Sequence, residues 1–144
     1  MAKYARGTYV PRNPLKYIGK KTPKYRSSWE LMFMQVCDNH PAITQWSSES
    51  IFIPYQNPLT GKHTIYVPDF MIIYQDSQGK KHAEVIEIKP LKEMTILNAG
   101  RSARDRLMAV QNKAKWKAAM RWCHQQGLVF RVINETQLFH QKFK

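Results

Sequence analysis

The chain has 144 residues and a formal net charge of +13 at pH 7, which suits a single domain with a real hydrophobic core and favours a polyanionic partner. It contains no run of apolar residues long enough for a membrane span, and no apolar segment follows Met1, so we expect no secretory signal. Cys37 and Cys123 lie too far apart for a CxxC motif, so we expect reduced thiols and neither a zinc site nor a disulfide framework.

Residues 1–26 carry eight lysines and arginines and no acid, interleaved with four tyrosines and three prolines. No helical or strand period runs through them, which predicts an extended basic arm, disordered alone or laid along a partner. The mixture suits contact with phosphates and bases, and it suits docking on a protein equally well. We therefore divide the chain into this arm and one domain, residues 27–144.

A first helix is predicted over residues 27–40, with an apolar stripe for the core and a proline to stop it. Ser27 and Glu30 form a capping-box pattern, in which Glu30 bonds back to the start of the helix. Glu30 is also a candidate third acid for a metal or water-positioning site beside the sheet. Residues 41–63 are predicted to be connecting structure with one short strand, Ser50–Tyr55, which Pro54 limits to a sheet edge.

The central stretch consists of two predicted strands, Thr64–Tyr74 and His82–Lys89, joined by a polar turn. Because side chains alternate across a strand, Glu87 and Lys89 share one face, and the hairpin brings Asp69 close to Glu87. Two close carboxylates repel each other unless a cation lies between them, and Mg²⁺ prefers such oxygen ligands. With the ammonium of Lys89 nearby, this combination predicts metal-assisted attack of water on a phosphodiester. The alternative is a surface hairpin with solvated charges.

The rest of the chain is predicted to complete an α/β fold. Residues 90–106 form a polar connection whose basic side chains could clamp a phosphate or be solvated. A second helix is predicted over residues 104–126, ended by Gly127, and a strand over residues 128–133 then joins the sheet by a crossover. Residues 135–144 are predicted to be a short helix or tail. The predicted buried stripe of the second helix is Trp116, Ala119, Met120 and Cys123.

The chain resembles the PD-(D/E)XK nucleases in their signature, which is matched here by Pro68-Asp69, a spacer and then Glu87-Ile88-Lys89. The order of predicted elements over about residues 27–134 is similar to their restriction-endonuclease-like core, which implies a mixed central sheet flanked by helices, here with the basic N-terminal arm. Segments 87–90, 115–123 and 130–133 are similar to the TnsA catalytic domain. The opening Met-Ala-Lys-Tyr and the segment Tyr25–Glu30 more closely resemble the head completion nucleases of large tailed phages.

The resemblance implies a Mg²⁺-dependent DNA endonuclease, with Mn²⁺ as a substitute, that processes packaged DNA ends during head completion. The candidate metal ligands are Asp69, Glu87 and the backbone carbonyl of Ile88, with Glu30 as a candidate third acid. Lys89 would orient the attacking water. The candidate DNA-binding residues are Arg26, Lys92, Arg101, Arg104, Lys113, Lys117 and Arg121.

The expected partners are double-stranded DNA and, through residues 1–26, phage portal, neck or capsid proteins, with no membrane. The expected location is the host cytoplasm during assembly, or the virion. Two alternatives stay open. One is a non-catalytic DNA-binding head or neck protein that kept a nuclease fold, and the other is a junction-resolving or transposon-type endonuclease.

Overall fold

A computed structural model describes residues 6–94 and 102–138, which form an α/β fold around a four-stranded sheet. Across these residues no helix is both long and apolar enough to cross a membrane. The elements in chain order are β1 (Gly7–Thr8), a 3-10 turn (Pro14–Lys16), β2 (Lys24–Tyr25), α1 (Ser28–Asn39), β3 (Ile43–Ser48), β4 (Ile53–Gln56), β5 (His63–Tyr66), β6 (Phe70–Gln75), β7 (Lys81–Ile88), α2 (Ala103–Gln125), β8 (Val129–Ile133) and α3 (Glu135–Leu138).

The central sheet has the strand order β3-β6-β7-β8, in which β7 and β8 are parallel and the other pairs are antiparallel. A parallel pair cannot be joined by a tight turn, so the chain must cross over the sheet between β7 and β8. Helix α2 lies on this crossover. The predicted fold class, a mixed central sheet flanked by helices, is confirmed.

The two faces of the sheet are covered by different helices. On one face, Phe33 of α1 packs with Ile86 in the larger core cluster. On the other face, Ala119 of α2 packs with Tyr66 and with Phe130 of β8. Within the described residues, strands β4 and β5 pair with each other alone and form a separate ribbon against α2. The sheet is therefore enclosed by α1 on one side and by α2 with the ribbon on the other.

The predicted strand Thr64–Tyr74 is in fact two strands that belong to different sheets. Strand β5 pairs with β4, whereas β6 pairs with β3 and β7. The break falls at residues 67–69 around Pro68, which has no amide hydrogen to donate to a ladder. This interruption leaves Asp69 in an irregular position just before β6.

Strand β3 is missing from the sequence-based prediction, which treated its residues as connecting structure. Its buried side chains do not alternate cleanly, because Trp46, Ser47 and Ser48 are all buried and the register shifts between Ile43 and Gln45. The predicted strand Ser50–Tyr55 begins later than expected, at Ile53.

Helix α2 ends as predicted, but its buried stripe is narrower. Gly127 has a φ of 74°, and the amide of Leu128 donates to the Cys123 carbonyl at 2.7 Å, as in a glycine-terminated helix. Ala119 and Cys123 are fully buried, whereas Met120 is 58% exposed. Met120 was therefore assigned to the wrong face, because helix periodicity alone does not show how wide the packed stripe is.

The N-terminal segment packs on its own domain from residue 6 onwards. Strands β1 and β2 pair with each other, and the ring of Tyr17 packs edge-on against Trp46 at 4.7 Å. The amide of Ile18 donates to the Trp46 carbonyl at 2.9 Å. The interpretation as an arm that is disordered alone is therefore wrong for residues 6–26, because tertiary contacts supply the order that local periodicity lacks. The domain boundary at residue 26 stays a prediction.

Asp38 at the end of α1 anchors this segment. Its carboxylate is fully buried and accepts hydrogen bonds from the Tyr9 hydroxyl at 2.5 Å and from the amides of Arg12 at 2.7 Å and Asn13 at 3.0 Å. Burial alone would raise the pKa of Asp38, but these donors outweigh it and leave the pKa below its ordinary value. The buried charge is thus satisfied by residues that precede Asp38 by more than twenty positions in the sequence.

Asp38→Asn tests this anchor. We expect a loss of about 2–3 kcal/mol in the free energy of unfolding at neutral pH, because donors buried with the carboxylate lose their charged acceptor. A carboxylate with a lowered folded-state pKa stabilises above its unfolded pKa of about 3.9, and this contribution disappears as the pH falls through the folded value. Urea unfolding of both proteins over an acid pH series should show the two stabilities converging.

Asp105→Asn is the matched control, since Asp105 lies in the first turn of α2 and far from this network in sequence. It should cost less than about 1 kcal/mol, the usual size of a helix-dipole interaction. Equal losses in the two variants, or an Asp38→Asn deficit that persists in acid, would contradict the proposed anchor.

Candidate active site

Asp69 and Glu87 lie directly opposite each other at one end of the β6–β7 hairpin. The antiparallel register pairs Phe70 with Ile86 and Met71 with Val85, so continuing it by one residue places Asp69 opposite Glu87. Opposite residues of an antiparallel pair share a face, so both carboxylates lie on the face covered by α2. The predicted proximity of Asp69 and Glu87 is confirmed by this register.

Two backbone hydrogen bonds hold the carboxylates in place. The Ile88 amide donates to Asp69 Oδ2 at 2.8 Å, and the Asp69 amide donates to Glu87 Oε1 at 3.3 Å. Each strand therefore fixes the acid of the other strand. Burial, and then the charges of Glu87 and Glu30, raise the pKa of Asp69 well above its ordinary value. Burial also raises the pKa of Glu87, against the opposing effects of the Tyr66 hydroxyl and Lys89.

A ring of basic and aromatic side chains surrounds Glu87 on the same face. Lys89 follows it two residues later, and the Lys89 amide donates to the Ile133 carbonyl of β8 at 2.8 Å, which prolongs the ladder. From α2, Lys115 lowers the pKa of Glu87 and places its Nζ 5.8 Å from the centre of the Tyr66 ring.

Tyr66 lies on the same side of the sheet and is 5% exposed. Burial, the charge of Glu87 and a side-chain hydrogen bond to Glu87 raise the pKa of Tyr66, so the group stays a phenol. The same hydrogen bond lowers the pKa of Glu87. The indole of Trp116 bonds to the Tyr66 oxygen and lowers the pKa of Tyr66. A buried chain of donors therefore runs from Trp116 through Tyr66 to the carboxylate pair.

Glu30 approaches the pair from the other side of the sheet. Ser27 caps α1 by accepting from the Glu30 amide at 3.1 Å, and its hydroxyl donates to Glu30 Oε2 at 3.2 Å. Burial raises the pKa of Glu30, and its charge in turn raises the pKa of Asp69. Across residues 6–94 and 102–138, no three His, Cys, Asp or Glu side chains converge closely enough to hold a metal ion. Ser27 caps the helix as predicted, but the Glu30 carboxylate accepts from the Ser27 hydroxyl rather than from the predicted N-cap amide. The part of Glu30 in metal binding stays a prediction.

Glu49 is a fourth acid near the site, and the sequence analysis missed it. Its amide donates to the Asp69 carbonyl at 2.9 Å, and its carboxylate pairs with Arg26. Glu49 has a φ of 50°, an uncommon conformation for a residue other than glycine, and such positions concentrate at functional sites. No local pattern reveals a positive φ at a glutamate. The ion pair places Arg26, a predicted DNA-binding residue, at the margin of the carboxylate pair.

The chemistry of this cluster fits a hard divalent cation. Asp69 and Glu87 supply oxygen donors on one face, and each has a raised pKa that a cation between them would lower. Mg²⁺ typically takes one or two protein carboxylates and completes its shell with water and substrate phosphate. The two carboxylates therefore match the protein ligands that such an ion usually takes.

The other predicted DNA-binding residues fall into three groups. Lys92 and Arg104 are exposed, and Arg101 lies outside the described residues. Lys113, Lys117 and Arg121 are exposed along α2. At about 100° per residue, Lys113 and Lys117 lie on the side of the helix opposite Lys115. The predicted row therefore faces away from the carboxylates, and Lys115, which the sequence analysis passed over, faces them.

Comparison with known families gives one match. The model of the TnsA-like endonuclease N-terminal domain, a nuclease family of the PD-(D/E)XK type, matches residues 40–135. This span includes Asp69, Glu87 and Lys89 and excludes α1 with Glu30. A search of curated proteins finds no match. The matched residues make up more than half of the chain, and its sheet places the two acids together. This protein therefore belongs to the TnsA-like endonuclease family.

Proposed function

We propose that this protein is a Mg²⁺-dependent endonuclease that hydrolyses phosphodiester bonds of DNA at the Asp69–Glu87 pair. The observation that carries the proposal is the register that sets these two acids opposite each other, with Lys89 and Lys115 beside them. Membership of the TnsA-like family supports a nuclease and a DNA substrate. The net charge of +13 supports attraction of a polyanion.

Asp69, Glu87 and the backbone carbonyl of Ile88 would hold the ion, with Glu30 as a further candidate. Bound Mg²⁺ supplies Lewis-acid stabilisation of the charge that develops on the phosphate. The Ile88 amide keeps the Asp69 carboxylate oriented at 2.8 Å. Lys89 would position the attacking water and stabilise negative charge on the phosphate oxygens. The Tyr66 hydroxyl and Lys115, which both act on Glu87, would lie close to the bound substrate, and Lys115 would donate to its oxygen atoms.

Asp69→Asn and Lys89→Ala should each lower Mg²⁺-dependent DNA cleavage by at least about 10²-fold, because each removes a group expected to act directly at the reacting phosphate. Cleavage of supercoiled and linear DNA is measured with Mg²⁺, with Mn²⁺ and with chelator, and circular dichroism checks that each variant is folded.

Lys80→Ala is the control for Lys89→Ala, since Lys80 lies in the turn at the opposite end of the same hairpin. It should keep wild-type activity. Cleavage that survives in Asp69→Asn or in chelator would remove the metal-dependent proposal and favour a non-catalytic DNA-binding protein.

Metal binding is tested independently by thermal unfolding. Mg²⁺ at about 100 times its dissociation constant should stabilise the wild-type protein by about 2.7 kcal/mol and should have little effect on Asp69→Asn. In chelator, Asp69→Asn should be more stable than wild type, by about 1 kcal/mol, because the repulsion between the two buried acids is gone. A Mg²⁺-induced shift of the same size in both proteins would place the ion elsewhere.

Tyr66→Phe tests the hydrogen bond between this hydroxyl and Glu87. In chelator the variant should lose about 0.5–1.5 kcal/mol in the free energy of unfolding, the usual net value of one hydrogen bond. Its kcat/KM for Mg²⁺-dependent cleavage should also fall, because the hydroxyl holds a candidate metal ligand. Unchanged stability together with unchanged kcat/KM would show that the hydroxyl has neither role.

We further propose a biological role for this endonuclease, the processing of packaged DNA ends during phage head completion. Its support is the similarity of Tyr25–Glu30, together with the opening residues, to the head completion nucleases. Comparing cleavage of linear ends, branched junctions and uninterrupted duplex tests it. Preference for ends supports head completion, whereas preference for branched DNA favours the junction-resolving alternative.

A further inference from the structure

A basic cleft opens beside the carboxylate pair, between the N-terminal segment and the loop that follows β3. We call it the N-terminal cleft. Its volume is about 820 Å³, within the range of about 300–1,000 Å³ in which proteins enclose small ligands. The lining residues used below are Lys20, Lys21, Lys24, Arg26, Glu49 and Phe52.

The charge of the cleft is unbalanced. Arg26 is paired with Glu49, whereas none of the three lysines forms a salt bridge within the part of the chain that the structure describes. All three lysines are exposed. Cations gathered around a concave surface attract the phosphate backbone of a nucleic acid, and each phosphate that they neutralise releases counterions.

The cleft also presents an aromatic ring to solvent. Phe52 is 57% exposed, although it directly precedes Ile53, which is fully buried. Next to it lies a second, more apolar hollow of about 410 Å³, which Ile18 and Met71 also line. An exposed aromatic side chain among cations is the usual combination for binding single-stranded nucleic acid, where unpaired bases stack on the ring. A continuous duplex keeps its base faces inside and offers none to Phe52.

The loop that carries Lys20 and Lys21 is held in one shape. The Tyr17 hydroxyl donates to the Lys21 carbonyl at 2.5 Å, and the Tyr17 ring itself packs on Trp46. Gly19 lies so close to the Tyr17 phenol that a Cβ atom there would overlap it. The two lysines are therefore presented by a fixed loop, which lowers the entropy cost of binding.

One wall of the cleft adjoins the segment that carries Asp69. Glu49, on its wall, donates its amide to the Asp69 carbonyl at 2.9 Å, and Arg26 is close enough for the charges of Glu30 and Asp69 to affect its pKa. We propose that the N-terminal cleft holds an unpaired stretch of the DNA strand next to the scissile phosphate. The preferred substrate is then DNA in which a single-stranded segment adjoins a duplex. This inference rests on the proposed nuclease function and specifies the substrate of the same site.

The test measures binding and cleavage separately. Fluorescence anisotropy in chelator, where cleavage does not occur, uses one labelled oligonucleotide as a single strand and as a blunt duplex. Phe52→Ala should weaken single-strand binding by about 5- to 100-fold, the value of one stacked base, and leave duplex binding unchanged. Phe52→Tyr keeps the ring and should keep the affinity.

The electrostatic part is tested by a double variant, Lys20→Ala with Lys21→Ala. The slope of log affinity against log salt for the single strand should become shallower by about 0.7 for each phosphate that the variant no longer neutralises. Lys80→Ala with Lys81→Ala is the matched control, since these exposed lysines lie at the opposite end of the β6–β7 hairpin. This pair should leave the slope unchanged.

Cleavage with Mg²⁺ then compares a gapped duplex with an intact one. We expect a higher kcat/KM on the gapped DNA, and a loss of this preference in Phe52→Ala. Unchanged single-strand affinity in Phe52→Ala, an equal loss on duplex, or an equal effect of the control lysines would overturn the inference.

These results separate the inference from the proposed function. Mg²⁺-dependent cleavage without any preference for gapped DNA would leave the nuclease standing and reject the role of the cleft. Phe52-dependent single-strand binding by a protein that cleaves no DNA would reject the nuclease and retain the binding site.

Discussion

The crossed pair of hydrogen bonds between β6 and β7 is the constraint on which the site depends. The Ile88 amide holds Asp69 and the Asp69 amide holds Glu87, so the same strand ends that complete the hairpin also force two acids together. Neither carboxylate can turn away without breaking a backbone hydrogen bond. Lys89 and Lys115 offset only part of the repulsion between the two acids, since the pKa of each acid stays raised. A cation between the two carboxylates is the simplest group that would relieve the rest.

The surroundings of the pair come from segments far apart in the chain. Lys115 and Trp116 arrive on α2, Tyr66 on the β4–β5 ribbon, and Glu30 at the start of α1 from the opposite side of the sheet. The N-terminal segment is held against the domain by Asp38 and Trp46, and its last residue, Arg26, lies at the margin of the pair. Part of the basic surface next to the acids is thus supplied by residues that local patterns indicated only as an irregular arm.

Local rules accounted for much of the fold. Capping and periodicity predicted helix α1 and helix α2, including the end of α2 at Gly127. Turn chemistry predicted the hairpin that carries Asp69 and Glu87. The failures have physical causes. Strand β3 buries side chains on both of its faces and has an irregular register, so its sequence shows no alternation of apolar and polar residues. The division of β5 from β6 depends on which partner each strand finds on either side of Pro68.

The residues of the proposed site could be identified from the chain alone, since an acid after Pro68, an acid and a lysine two residues apart and a strongly basic chain are all local or compositional facts. The tertiary structure sets which further side chains face the acids. It brought in Tyr66, Lys115 and Glu49, turned Lys113 and Lys117 away, and folded residues 6–26 onto the domain. The reason is that helix phase, strand pairing and a positive φ at Glu49 are set by packing between distant segments, and no short stretch of sequence records that packing.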